Sequence, residues 1–227
     1  MKQLSSLVGK ITPQDSDLKP DSDKGSGEPD YVKEIRAMEK TQWEVDRDSR
    51  STSYLSKVMP PAFKATDVSR LPQPQLSRLL KWRFSDGRGL LLHGPTGTCK
   101  TRCLWVLLAR LIEKEHFKVL YYTSDRLSRE LGDSYMDHSH GRLFTKLATR
   151  KILVIDDLGK EKPTARWEED LFSLIRERCD YLKPTFITTN FVGDGLIGRY
   201  KDREMAVPLV RRLREFCDSV AFGGNKE

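Results

Sequence analysis

Apolar residues in this chain fall into two kinds of run. Short and nearly unbroken ones occupy residues 89–93, 118–123, 151–155, 184–188 and 219–222, and read as strands. Longer stretches between them repeat at helical spacing. Leu143, Phe144 and Leu147 share one face of residues 141–149, and Trp167, Leu171, Leu174, Ile175 and Leu182 form one stripe along 167–182. Residues 102–115 and 125–131 complete the helical set. Ile152-Leu153-Val154-Ile155 is apolar at every position, as expected of a strand covered on both faces of a parallel sheet. Strand and helix in alternation predict an α/β domain of three layers with right-handed crossovers, and no internal repeat is found.

The N-terminal quarter is different. Residues 1–29 are dominated by Asp, Ser, Lys, Gly and Pro and lack the apolar surface to fold alone, which predicts a flexible tail. Tyr31, Ile35, Met38 and Val45 lie near helical spacing, so residues 31–45 read as a short amphipathic helix that either docks a partner or packs on its own domain. Residues 49–53 read as linker, and Met59-Pro60-Pro61-Ala62-Phe63 as an extended entry into the folded part, since two prolines forbid a helix interior. The expected division is an extension over 1–57 and one domain over 58–227.

Charge sharpens that division. Of a net +7, residues 1–60 hold 10 basic against 11 acidic side chains, and the rest 30 against 22. The basic excess of the folded part suits an anionic partner such as nucleic acid. The four cysteines (Cys99, Cys103, Cys179, Cys217) make no C-x-x-C pair and have no zinc spacing, which points to a reduced cytoplasmic setting. No run approaches a membrane span, and residues 1–10 lack a signal-peptide core.

Between the first strand and the first long helix stands Gly94-Pro95-Thr96-Gly97-Thr98-Cys99-Lys100-Thr101. A glycine-bearing turn followed by Lys-Thr at a helix start aims backbone N–H groups at phosphates. Lys100 would neutralise the β- and γ-phosphates, and the Thr101 hydroxyl would ligand Mg²⁺. The motif calls for glycine where Cys99 sits; at negative φ a cysteine fits there, and at positive φ it is strained. The strand over 152–155 runs straight into Asp156-Asp157, placed at the strand ends where ligands of open parallel sheets bind. Asp156 would hold Mg²⁺ through its water shell and Asp157 would polarise the attacking water. Asn190 closes the next strand at the same edge, where it either touches the γ-phosphate or attacking water or stabilises the turn. Near the C-terminus, Pro208 suits a first helical turn, with Leu209, Leu213, Phe216 and Cys217 as the buried stripe. Phase then turns Arg211 away from that stripe and leaves Arg212 and Arg214 on its borders, so any of the three arginines can reach a partner or simply be solvated.

Taken together, the P-loop at 94–101, Ile152 to Gly159, Lys183 to Asn190 and Val210-Arg211-Arg212-Leu213 resemble the AAA+ ATPases of the DnaC and IstB group, replicative-helicase loaders and transposition helper proteins. The resemblance spans roughly residues 58–223, including Pro60 to Phe63. It implies an AAA+ P-loop core that binds and hydrolyses ATP with Mg²⁺. Gly94 to Thr101 would cradle the nucleotide, Thr101 and Asp156 hold the metal, Asp157 activate water and Asn190 act as first sensor. Arg212 would be the finger reaching a neighbour's nucleotide in a homo-oligomer. Implied partners are single-stranded DNA and a replicative helicase, or a transposase, with no membrane. Cys99 departs from the pattern and puts hydrolysis more than binding at stake. The chain ends soon after Phe222, so no helical lid and no second sensor arginine are expected, and the cysteine-free tail implies no zinc module. Two weaker features remain. Asp137-His138-Ser139-His140 is a loop tip or, less simply, a metal ligand set. Arg142, Lys146, Arg150 and Lys151 form either a solvated helix side or a single-strand contact.

Overall fold

The computed structural model describes residues 30–223, in two compact units that divide between Gln42 and Trp43. The tail expected over residues 1–29 lies outside the described residues. Of the first unit, residues 30–42 are described, and they are helical.

Helix α1 (Asp30–Val58) continues through the residues expected as linker. From Trp43 onward its residues belong to the second unit. The linker reading of 49–53 is therefore corrected, and the reason is tertiary. Ser51 Oγ hydrogen-bonds His116 Nδ1 at 2.8 Å, Tyr54 OH donates to the Val119 carbonyl at 2.5 Å, and Leu55 is buried in the core. Such contacts outweigh the weak helix propensity of a Ser- and Thr-rich stretch.

The second unit continues with α2 (Pro61–Lys64), a 3₁₀ turn (Val68–Arg70), α3 (Gln73–Leu80), a second 3₁₀ turn (Phe84–Asp86) and β1 (Gly89–His93). Then come α4 (Lys100–Glu113), β2 (Val119–Thr123), α5 (Ser124–Met136), α6 (His140–Thr149) and β3 (Ile152–Leu158). The chain closes with α7 (Ala165–Asp180), β4 (Thr185–Thr189), α8 (Asp194–Ile197), α9 (Arg203–Phe216) and β5 (Cys217–Ala221). The five described strands are all parallel, in the order β2-β3-β4-β1-β5.

Alternate residues of each strand feed two cores, which is why the central strands are apolar throughout. Leu91, Leu153, Ile155 and Ile187 meet Leu127 of α5, Leu147 of α6, Trp167 and Leu171 of α7, and Leu209 and Leu213 of α9. On the other face Leu90, Leu92, Val154 and Phe186 meet Leu55 of α1, Leu76 and Leu79 of α3, and Leu104, Trp105 and Leu108 of α4. This is the expected three-layer α/β architecture.

One buried cation ties α7 to the end of α6 and to the start of β4. Arg178 of α7 is fully buried and donates to the carbonyls of Leu147, Ala148 and Arg150 at the end of α6 (2.7, 3.1 and 2.9 Å), to Pro184 O (2.6 Å) and to Thr185 Oγ1 (2.8 Å). Burial pulls its guanidinium down to about 10, so it stays charged at neutral pH. Arg178→Met is expected to strand these acceptors and cost about 3 kcal/mol or more, read as a lower urea midpoint. An unchanged midpoint would show that the helix end is satisfied some other way.

Pro208 lies inside α9 rather than in its first turn. The helix starts earlier because Asp202 caps it, accepting from the Met205 N–H at 3.0 Å, and a side-chain cap outweighs the proline preference. Leu209 and Leu213 are buried as the expected stripe requires, while Cys217 already belongs to β5.

Candidate functional site

Strands β3, β4 and β1 are neighbours, so the loops leaving their C-terminal ends meet at the carboxyl edge of the sheet. The loop after β1 turns sharply. Gly94 has φ 140°, and a Cβ there would lie 1.9 Å from the Phe222 carbonyl oxygen, so only glycine fits. At the far end of the loop Cys99 sits at φ 63°, ψ 19°, in the left-handed region, immediately before α4. The strained alternative for Cys99 is thus the one realised, at a cost of about 1 to 3 kcal/mol that glycine would not bear.

A cavity of about 300 Å³ opens over this loop, lined also by Phe63, Arg102, Asp157, Lys160 and Asn190. Lys100 points into the loop. Its ammonium donates to the carbonyls of Gly94 (2.7 Å) and Pro95 (2.8 Å) and to Asn190 Oδ1 (2.9 Å). Burial pulls its pKa down, against the opposing pull of Asp157 and Asp156. Asn190 also donates from Nδ2 to Thr96 Oγ1 at 3.1 Å. The turn after β4 is held instead by Thr189, whose Oγ1 accepts from the Phe191 N–H at 3.1 Å. Asn190 is thereby left to bridge Lys100 and the P-loop.

Asp156 is buried and accepts three hydroxyls: Thr101 at 2.9 Å, Tyr121 at 2.6 Å and Thr188. Burial, then the adjacent Asp156 carboxylate, push the Tyr121 phenol upward. A hydroxyl and a carboxylate side by side are hard oxygen donors suited to Mg²⁺, which keeps most of its water. Asp157 differs from its neighbour because β3 bulges between Ile155 and Leu158. Its backbone takes φ 61°, its N–H donates to Thr188 Oγ1 at 2.8 Å, and its carboxylate meets Lys160 Nζ at 2.9 Å at the cavity wall. The two strained non-glycine residues of the loop and of β3 therefore border one cavity, a common signature of functional positions.

The structure brings together all the nucleotide and metal candidates, Gly94 to Thr101 and Asp156, with Asp157 and Asn190. It does not bring Arg212 to them. Arg212 Nη1 holds Asp180 Oδ1 at 3.0 Å, and Asp180 ends α7 just before β4 begins, at the opposite edge of the sheet. The sequence reading missed Thr188, Tyr121, Lys160 and Phe63. Thr188 was legible as a polar residue breaking a buried strand next to Asn190. Tyr121 and Phe63 carried no such signal, since aromatics at those positions read equally as core.

Residues 137–139 form the turn between α5 and α6, and His140 opens α6. Asp137 Oδ1 accepts from the Ser139 N–H at 2.9 Å, and His140 stacks on Tyr135 at 3.9 Å with Nε2 3.2 Å from Asp170. Among the described residues no group of three or more His, Cys, Asp or Glu is placed to hold a metal ion. Nor is any described helix long and apolar enough to cross a membrane.

Cys99 offers a direct test of the loop, because it is half-buried while the other three cysteines are buried. Alkylation is expected to modify it first and to block nucleotide binding, with nucleotide protecting the thiol. Cys99→Gly should relieve strain and leave turnover equal or higher. Equal labelling with and without ATP would place Cys99 outside the site.

Comparison with known proteins agrees with this geometry. Residues 23–226 match the model of the family described as IstB-like ATP binding protein. A Mycobacterium tuberculosis insertion-sequence protein named for ATP binding is 26% identical over 163 residues, 71% of this chain and 64% of its own length. The Bacillus subtilis replicative helicase loader DnaI is 32% identical over 147 residues, 61% of this chain and 47% of that protein. The chain therefore spans about half to two thirds of these relatives. Among solved structures, DnaI superposes with a TM-score of 0.61 at 20% identity, covering 73% of this chain and 95% of that one. The DnaC helicase loader gives 0.55 at 22%, covering 74% and 96%. A P-loop NTPase fold, a phosphate loop facing two aspartates and a family match over most of its length together identify the chain as a member of the IstB-like ATP-binding family, the group of insertion-sequence ATP-binding proteins and helicase loaders.

Proposed function

We propose that this protein hydrolyses ATP with Mg²⁺ and acts in DNA replication as a helicase loader, binding single-stranded DNA and a replicative helicase and assembling as a homo-oligomer. The observation that carries the nucleotide part of the reading is the bridge from Lys100 through Asn190 to Thr96, beside the Thr101–Asp156 pair, and the loader part rests on the likeness to DnaI. One polar network thus links the P-loop to the ends of β3 and β4.

Incoming phosphates replace the Gly94 and Pro95 carbonyls as partners of the Lys100 ammonium. The N–H groups at the start of α4 face the same space. Mg²⁺, held by Thr101 and Asp156, would neutralise charge on the phosphates. Asp157 orients and deprotonates the attacking water once its carboxylate leaves Lys160, and Asn190 aligns that water with the terminal phosphate. Arg212 completes the site of a neighbouring subunit. The basic residues of α6, Arg142 and Lys146, are exposed and available to DNA.

A second reading, a transposition helper handing target DNA to a transposase, draws on the insertion-sequence relative, which this chain covers more fully than it covers DnaI. A third is a nucleotide-dependent adaptor in which strain at Cys99 has stopped turnover. Steady-state ATPase with and without single-stranded DNA separates the adaptor from the other two. Loader and helper both turn over ATP, and the adaptor binds it without release of phosphate. Co-purification with a replicative helicase is the expected result; capture of a transposase in its place would reverse the order of the first two.

A further inference from the structure

Away from the nucleotide site, unneutralised charge gathers at the other edge of the sheet, where β2 and β3 begin. A cleft of about 450 Å³ is lined there by His116, Lys118, Lys146, Arg150 and Lys151. Among the described residues Glu115 is the only acid lining it, and it is occupied by Arg110 at 3.3 Å. A groove of about 580 Å³ shares His116, Phe117 and Lys118 with this cleft and has α1 as its other wall, through Trp43, Arg47 and Lys57. No carboxylate of the described residues lines the groove. Asp48 lies near, 3.5 Å from His116, and is mostly exposed. Among the described residues Lys57, Lys118 and Lys146 are exposed and form no ion pair.

Aromatic faces accompany the cations. Trp43 is 54% exposed with the Arg47 guanidinium 4.6 Å from its ring centroid, and Phe117 carries the Lys151 ammonium at 5.7 Å. The exposed Trp43 ring thus stands among cations, one of them stacked on it. Cations spaced along two joined cavities match a repeating phosphate chain, and ring faces match unstacked bases; a duplex hides the faces of its bases.

We propose that these joined cavities form a groove for single-stranded nucleic acid, with phosphates along Lys57, Lys118, Lys146 and Arg150 and bases against Trp43 and Phe117. The nature of the anion rests on the DNA-handling reading above, whereas the location does not. This surface lies at the strand starts, away from the nucleotide edge; Arg142, one helical turn before Lys146 on α6, lines neither cavity.

The full chain provides its own probe. Of its four tryptophans, Trp82, Trp105 and Trp167 are at most 4% exposed, so quenching of intrinsic fluorescence by an added strand reports on Trp43. Titration with oligo-dT is expected to quench that signal, and Trp43→Ala to remove the quench and weaken binding about tenfold. Log affinity should fall with log salt at about −0.7 per phosphate neutralised, so the Lys57→Glu, Lys118→Glu double variant should weaken binding and flatten the slope by about 1.4. A blunt duplex of equal length should bind more weakly; equal binding overturns the single-strand assignment. Oligo-dT that binds without quenching Trp43, and whose affinity falls with Arg142→Glu but not with the double variant, overturns the groove and leaves the DNA reading standing. Absence of oligo-dT binding at low salt overturns both.

Discussion

Replacing Arg212 with alanine is expected to leave ATP affinity intact and to lower turnover by about 10³ to 10⁵, the range an arginine supplied to a transferring phosphoryl group is worth. The geometry gives this loss a particular form. Arg212 holds Asp180 at the edge where strands begin, and Lys100 stands where β1 ends. A five-residue strand is about 16 Å long, so Arg212 lies roughly a sheet height from its own chain's phosphates. If it acts on phosphate at all, the arginine serves a neighbour, as proposed. Mixing tests it: a Lys100→Ala subunit has a dead nucleotide site and an intact Arg212, and an Arg212→Ala subunit the reverse. Side by side, some interfaces pair an intact site with an intact arginine, and ATPase absent from either protein alone should return at concentrations that support assembly. No recovery at any ratio, with mixed assemblies demonstrated, would remove Arg212 from catalysis in trans. The Asp180 contact is no obstacle, since a partly exposed ion pair of this kind is worth about 1 kcal/mol.

Lys100→Ala and Asp157→Asn should fail in different ways. In the proposed site the lysine would supply charge-assisted hydrogen bonds to phosphate, each worth about 1.5 to 3 kcal/mol, so its loss should weaken ATP binding by roughly 10²-fold or more. In the proposed mechanism Asp157 acts only at the water-activating step. Its amide replacement retains an acceptor for Lys160 and should bind ATP normally while turning over about 10² to 10⁴ times more slowly. A Lys100→Ala protein with wild-type ATP affinity would end the phosphate-loop assignment. An Asp157→Asn protein with wild-type turnover would pass the role of base to another group at the cavity.

The amino-acid order by itself determined the layers and the edge where the candidate site lies. Apolar runs too short for helices, alternating with stripes at helical spacing, allow little but a parallel sheet covered on both faces, and a phosphate loop and two aspartates placed after strands must then share an edge. Folding decided what local pattern leaves open. Whether Cys99 is strained depends on a backbone angle set by where Gly94 and α4 are anchored, and the difference between Asp156 and Asp157 on a bulge in β3 that puts one carboxylate under three hydroxyls and the other beside Lys160. Residues 49–53 have the composition of a linker and are helical because Ser51 and Tyr54 find partners 65 residues away and Leu55 is buried in the core. Phase placed Arg212 on a helix border without saying what it faces; that it meets Asp180 at the opposite edge comes from how α9 packs on α7. Periodicity reports which side of an element is apolar, and only long-range packing sets what the other side meets.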